Sequence, residues 1–327
     1  MKIAYYEKLG HATDVLKIAK GKRPKPGAGE VLVRVKVSGL NQTDIKARTG
    51  FSTGLPFPRI IPHQDGAGII EEVGEGTNIN RIGERVWIYE AQFGRAEGTA
   101  AEYIVVPCKN AVYLPDNVSF EIGASLGIPA LTAYCCLFAD GELDGRKVLI
   151  HGGGGVVGNA AILLAKSAGA WVATTVLNVE QGKVAKDAGA DLVLHRFDDD
   201  IVEIITKETN SKGVDRIVDV SLVSNLDVNI ACLSQGGVIS AYATPDADTA
   251  VVIPLLKAMK RGCVFRFVYI YHVMEKEKLK AISEVNRILS LGSYSPKIGK
   301  KFKLENIAEA HEALESGKII GKILLTI

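Results

Sequence analysis

Residues 147–169 read KVLIHGGGGVVGNAAILLAKSAG, and this stretch decides the fold. Lys147 to His151 is a short, largely apolar run of strand type. Gly153, Gly155 and Gly158 then supply GxGxxG, and Val156 to Ala168 follow as a helix that Gly169 stops. The glycines of such a loop each serve a physical need, whether a tight turn, close backbone approach to a pyrophosphate, or close packing of helix on strand. The first N–H groups of the helix have no partner within it and carry the positive end of its dipole, so they face phosphate well. Strand, loop, helix and a second strand candidate, AWVATTV, occur in register, which predicts a dinucleotide-binding unit rather than glycines that merely shape a turn.

Outward from this unit the pattern repeats. From Ser119 onward the strand candidates KVLIH, AWVATTV, DLVLH, RIVDVS and GGVISAYA alternate with helical stretches, as in βαβ units on a parallel sheet. The triple Asp198 to Asp200 reads as a solvated helix start. Before Ser119 the texture is β-rich. In EVLVRVKVSGLN, Val31, Val33, Val35 and Val37 alternate with Leu32, Arg34 and Lys36, and short strands such as GIIEEVG and RVWIYE follow a stretch dense in Gly and Pro. A compact barrel-like domain is expected there. The tail, ENIAEAHEALESGKIIGKILLTI, reads as an amphipathic helix closed near Gly317, then a strand.

Composition narrows the function classes. The 327 residues, 47% hydrophobic and 23% charged, suffice for roughly two domains. Thirty-nine Lys and Arg stand against 37 Asp and Glu, with the signs interspersed, so neither nucleic acid nor a membrane surface is an expected partner. The opening MKIAYYEKLG has no apolar signal core, and no uncharged apolar run approaches the roughly 18 residues of a membrane span, so a cytoplasmic protein is expected. Five cysteines, at 108, 135, 136, 232 and 263, lack CxxC spacing and are odd in number, which favours reduced structural thiols. A bridge between the adjacent Cys135 and Cys136 would be strained.

The second strand ends in apolar Val176, where enzymes that bind NAD place an Asp or Glu on the ribose 2′-hydroxyl. NADP is therefore expected over NAD. Lys183 and Arg196 are the candidates for a 2′-phosphate, guanidinium groups being suited to bidentate phosphate contacts.

The stretches GLNQTDIKARTG, IPHQDGAGIIEEVGEG, GTAAEYIVVP, GIPALTAY, VLIHGGGGVVG and AHEALESGKIIGKILL together resemble the medium-chain dehydrogenase/reductase superfamily, and within it the zinc-free, zeta-crystallin-like quinone oxidoreductase branch. The resemblance covers essentially the whole chain. It implies an α/β protein with a GroES-like catalytic domain, residues 1–122 and 266–327, and a Rossmann doubly wound cofactor domain, residues 123–265, with the cleft between them. It also implies NADPH as cofactor and a homo-oligomer, dimer or tetramer. Zinc members carry a thiolate where this chain has Asn41 and an imidazole where it has Gln64, and amides are poor zinc ligands. His63 and Asp65 lie beside Gln64, so a displaced metal site is the alternative to a histidine packed in a Pro-rich turn. Cys108 alone does not replace the four-cysteine lobe, and no metal is expected.

By the same resemblance Gly154, Gly155, Val156 and Val157 would lie along the pyrophosphate, and His195 and Arg196 beside the adenosine, with Asn225 after the fourth strand. Ala241, Tyr242, Ala243 and Thr244, with Val268, Tyr269 and Ile270, would flank the nicotinamide, Thr132 nearby. The chain departs from the branch at Lys46, where Tyr is usual, and at Leu177, where a small residue is usual. The resulting expectation is an NADPH-dependent reductase of quinones or electron-poor enones. Asn41 would donate to the acceptor's oxygen, with Lys46 as an electrostatic aid. A second enzymatic reading is reduction of an enoyl thioester or enone alkene. A third, from another class, is a structural protein that binds NADPH without turnover.

Overall fold

The computed structural model describes residues 1–51 and 54–327. The chain divides into two compact units, Met1–Ile128 with Ile298–Ile327, and Pro129–Lys297. These cuts fall C-terminal to the 122/123 and 265/266 divisions read from sequence, for reasons visible in the hydrogen bonds. Ile128 N donates to Asp65 Oδ1 at 2.9 Å, which keeps the segment before it with the first unit. Val264–Phe267 is a strand that pairs in parallel with Leu233–Ala241, which keeps it with the second.

Six parallel strands form the sheet of the second unit, in the spatial order Leu192–His195, Trp171–Val176, Lys147–His151, Val214–Asp219, Leu233–Ala241 and Val264–Phe267. Numbered along the chain this is 3-2-1-4-5-6, the doubly wound order of a Rossmann fold. The direction of winding reverses between Lys147–His151 and Val214–Asp219, and ligands of such sheets bind at the carboxyl ends of the strands beside that reversal. Val148, Leu149 and Ile150 are all fully buried, which explains why this strand reads as an apolar run with no alternation: both faces of a parallel sheet are covered. The fourth and fifth strands begin and end about two residues before the sequence reading. The sixth, VFRF, is too short and mixed to stand out from sequence.

The first unit is built on a seven-stranded sheet in which Glu30–Leu40 pairs antiparallel with Asp65–Val73, Tyr103–Pro107 and Lys322–Thr326. The alternation of the valines is realised: Val31, Val33, Val35 and Val37 are buried while Arg34 and Lys36 are only half so, and Leu32 is buried as well. The helix Ile307–Glu315 closes before Gly317, whose φ of 65° only glycine adopts freely, and the last strand returns the chain to the sheet. Among the described residues no helix is long and apolar enough to cross a membrane, and none of the five cysteines forms a disulfide.

Candidate functional site

The glycine loop leaves the first strand of the parallel sheet at the winding reversal and enters the helix Val156–Ser167, with Gly155 as its N-cap. The loop's glycines differ in what a side chain would meet. At Gly153 a Cβ would sit 2.2 Å from Thr174 Oγ1, and at Gly158 it would sit 2.2 Å from Gly152 O. At Gly154 it would run into Gln181. At Gly155, exposed, it would meet only Gly152 O at 3.2 Å. Gly153 and Gly158 therefore secure packing, while Gly155 leaves the space before the helix N-terminus open. Val156 and Val157, half-buried, give the first turn, whose N–H groups have no partner within the helix. These residues fit a pyrophosphate.

A polar network holds this end of the sheet. His151 Nε2 donates to Asn229 Oδ1 at 2.8 Å, Asn229 Nδ2 donates to Asp219 Oδ2 at 2.5 Å, and Asp219 Oδ1 accepts from Ser221 N at 2.6 Å and from Asn225 Nδ2 at 2.9 Å. Burial, ahead of every electrostatic influence, holds the pKa of His151 down. Asn225 is thus committed to the end of the fourth strand. The role of Asp219, His151 and Asn229 in shaping the site was not read from sequence. Their signal is three polar residues inside otherwise apolar elements.

At the end of the strand Trp171–Val176, Val176 is buried, Leu177 is exposed, and Leu177 N is taken by Gln181 Oε1 at 2.9 Å. His195 lies opposite Val176 in the parallel register, and Arg196 N donates to Val176 O at 2.9 Å, so Arg196 emerges beside the strand end that lacks a carboxylate. Its guanidinium lies over the exposed ring of Phe197. Lys183 is exposed on the helix Val179–Asp187, and Asp200 caps the helix Ile201–Glu208. Further along the sheet's carboxyl edge, Ala241, Tyr242, Ala243 and Thr244 meet Val268 and Tyr269 around a cavity of about 250 Å³ that Ser221 also lines. Ile270 is buried beneath, and Thr132 is buried in the helix Gly127–Phe138.

Asn41 caps the helix Gln42–Thr49 in the first unit and is 8% exposed. Lys322 Nζ donates to Asn41 Oδ1 at 2.6 Å, and Asn41 Nδ2 donates to Asp65 Oδ2 at 2.8 Å. A cation on one side and a carboxylate on the other fix the amide's orientation, leaving one of its two N–H bonds unassigned among the described residues. Lys322 Nζ also reaches Asp65 Oδ2 at 2.9 Å, and both side chains are fully buried. Lys46, half-buried on the same helix, carries its ammonium 4.1 Å from the centre of the Phe51 ring, and burial lowers its pKa. Asp44 Oδ2 accepts from Asn41 N at 2.7 Å, and burial raises the Asp44 carboxyl to about 8. Lys322 and Asp44 were also missed in the sequence; a lysine opening an apolar strand was the available signal.

The donors do not suit zinc. Gln64 Oε1 accepts from Gln92 N at 3.1 Å and Gln64 Nε2 donates to Gln92 Oε1 at 3.3 Å, while both ring nitrogens of His63 are engaged by Ser38 and His311. Asp65 is committed to Ile128, Asn41 and Lys322, and Cys108 Sγ accepts from Arg81. Among the described residues no three His, Cys, Asp or Glu side chains gather as metal ligands.

Comparison with known proteins agrees with this architecture. The family described as alcohol dehydrogenase GroES-like domain matches residues 27–116, and the one described as zinc-binding dehydrogenase matches residues 156–285. A quinone oxidoreductase of Lama guanicoe is 30% identical over 304 residues, covering 92% of this chain and 90% of the relative. A solved mycobacterial quinone oxidoreductase superposes with a TM-score of 0.88 at 26% identity, and one from Escherichia coli in complex with NADPH with a TM-score of 0.84 at 25% identity. Both structures cover 100% of this chain and are themselves covered in full. With a GroES-like unit, a 3-2-1-4-5-6 parallel sheet and relatives aligned from end to end, the chain belongs to the quinone oxidoreductase branch of the medium-chain dehydrogenase/reductase superfamily.

Proposed function

We propose that the protein is a zinc-independent, NADPH-dependent reductase of quinones or related electron-poor enones. The observation that carries the reading is Asn41, an amide clamped between Lys322 and Asp65 at a position where zinc relatives place a metal ligand. When bound, NADPH supplies the reducing equivalents. Gly155 and the start of the helix Val156–Ser167 hold the pyrophosphate, in a loop whose close packing Gly153, Gly154 and Gly158 permit, and Arg196 and Lys183 favour the 2′-phosphate beside a strand end without a carboxylate. The cavity between Ala241–Thr244 and Val268–Tyr269 takes the nicotinamide. Asn41 donates its remaining N–H to the acceptor's oxygen as negative charge builds there, an interaction stronger in the transition state than in the ground state. Lys46 adds a positive field on the same helix. Self-association is proposed at the outer strand of the parallel sheet and the helix Leu255–Arg261 before it, where Phe267 on the strand and Leu255, Leu256 and Met259 on the helix are exposed and apolar.

The deciding experiment is an NADPH oxidation screen over quinones, enones, enoyl thioesters and aldehydes, with metal analysis of the same preparation. Quinones or enones are expected to lead, with activity kept in chelator. Enoyl thioesters leading, NADPH bound but never consumed, or one zinc per chain whose removal stops turnover would each overturn the reading.

A further inference from the structure

A hydrogen-bond relay runs through the interior of the first unit. Arg48 Nε lies 3.3 Å from His311 Nδ1, His311 Nε2 lies 3.0 Å from His63 Nε2, and His63 Nδ1 lies 2.8 Å from Ser38 Oγ. Ser38 Oγ is 2.7 Å from Thr99 Oγ1, which is 2.5 Å from Asp65 O. Each of these six residues is fully buried.

The two ends fix every proton between them. A guanidinium only donates, so His311 Nδ1 accepts and its proton sits on Nε2. That N–H donates to His63 Nε2, so the proton of His63 sits on Nδ1 and goes to Ser38 Oγ. At the other end a backbone carbonyl only accepts, so the Thr99 hydroxyl donates to Asp65 O and accepts from Ser38. The pattern requires both imidazoles neutral, because a second proton on either would set two N–H bonds against each other or against Arg48. Burial, with the Lys322 charge after it, lowers the pKa of His63 to about 3, and burial, His63 and Arg48 hold His311 well below its ordinary value. Arg48 is itself tied to Gly10 O and Glu315.

His63 also stands at φ 84°, a left-handed conformation that glycine adopts without cost and a bulky side chain does not. Its side-chain bonds offset that cost, and they end on Asp65, whose carboxylate orients Asn41 and Lys322. We infer that His63 is a positioning residue for Asn41, fixing the Asp65 peptide through Ser38 and Thr99 and thereby the aim of the unassigned Asn41 N–H. This rests on the proposed role of Asn41.

The test has a spectroscopic and a kinetic arm. In long-range proton–nitrogen NMR of the full chain labelled at histidine, His63 is expected as the Nδ1–H tautomer and His311 as the Nε2–H tautomer, both unchanged from about pH 8 to about pH 5. The opposite tautomers, or titration of either ring in that range, overturn the relay. His63→Gly, which relieves the backbone strain, should lower kcat on the order of tenfold with unchanged KM for NADPH, and His63→Asn, which keeps a donor toward Ser38, should recover much of it. Wild-type kcat in folded His63→Gly, or in His63→Asn with the Ser38 bond lost, refutes the positioning role. Normal turnover in Asn41→Ala refutes instead the reading on which it rests, and the NMR result stands apart from both. Should His63→Gly not fold, the tautomers and His63→Asn decide.

Discussion

Gly155→Asp should separate cofactor binding from folding. The backbone at Gly155, φ −78° and ψ 164°, is ordinary extended structure, and a Cβ there would meet only Gly152 O at 3.2 Å. As an N-cap, Asp is better than Gly by a few tenths of a kcal/mol, so the melting temperature should hold or rise slightly. The added carboxylate would stand where the pyrophosphate is proposed to bind. Two unit charges about 4 Å apart at an effective dielectric of about 20 repel by about 4 kcal/mol, which weakens NADPH about a thousandfold. Gly158→Ala is the contrast. Its Cβ would lie 2.2 Å from Gly152 O. Carbon–oxygen contacts close at about 3.3 Å, so helix and loop must part by about 1 Å. Overpacking of that kind costs about 1–3 kcal/mol, and stability and NADPH affinity should fall together. Fluorescence titration with NADPH beside thermal melts reads both variants. A folded Asp variant that keeps NADPH within about threefold of wild type would make the loop architectural only.

Asn41→Ala should cut quinone turnover on the order of a hundredfold while NADPH affinity holds, and should also melt lower because Lys322 and Asp65 each lose a buried partner; steady-state kinetics with normal turnover would refute the donor role. Arg196→Ala should narrow the preference for NADPH over NADH by about 1.5–3 kcal/mol, read by paired titrations, and an equal loss for both cofactors would place Arg196 elsewhere. The raised pKa of Asp44, about 8 when folded, makes it favour the native state below the unfolded carboxylate range near pH 4 and lose that contribution as pH rises to about 8. Wild type should therefore fall against Asp44→Asn by up to about 1.4 kcal/mol per pH unit across that window in denaturant titrations, and a difference independent of pH would show that Asp44 is ionised throughout.

What the sequence disclosed is what the chain encodes locally. GxGxxG between an apolar run and a helix, the alternating valines of Glu30–Leu40, and Gly317 after the last helix each depend on neighbours within a turn or a strand, and each appears where it was read. Strand ends moved by a few residues because pairing with a neighbouring strand, not propensity, sets where a ladder stops. Asn41 and Gln64 announced that the zinc positions carry amides. They did not announce what holds those amides. Lys322 meets Asn41 across 281 residues and His63 meets His311 across 248, contacts created only when Ile323 pairs antiparallel with Leu40 and the last helix packs behind it. A lysine in KILLT and a histidine in AHEAL look like ordinary polar residues until that register is known.

The buried groups of the first unit are hard to explain by stability alone. Removing Lys322 and Asp65 from water costs several kcal/mol per ion, and well-packed apolar residues of similar volume are often as stable. His63 adds backbone strain to the same cluster. What the arrangement does supply is direction. Lys322 on Oδ1 and Asp65 on Nδ2 prevent the Asn41 amide from flipping, and the relay from Arg48 to Asp65 O fixes the peptide that carries the carboxylate. A neutral amide is a weaker electrophile than a metal ion, so its contribution to an oxyanion depends on being aimed before charge develops. Where zinc relatives obtain that aim from coordination geometry, the proposed role of Asn41 would have this chain obtain it from a buried ion pair and two neutral imidazoles, and the polar residues that weaken the core would then be the ones that orient the donor.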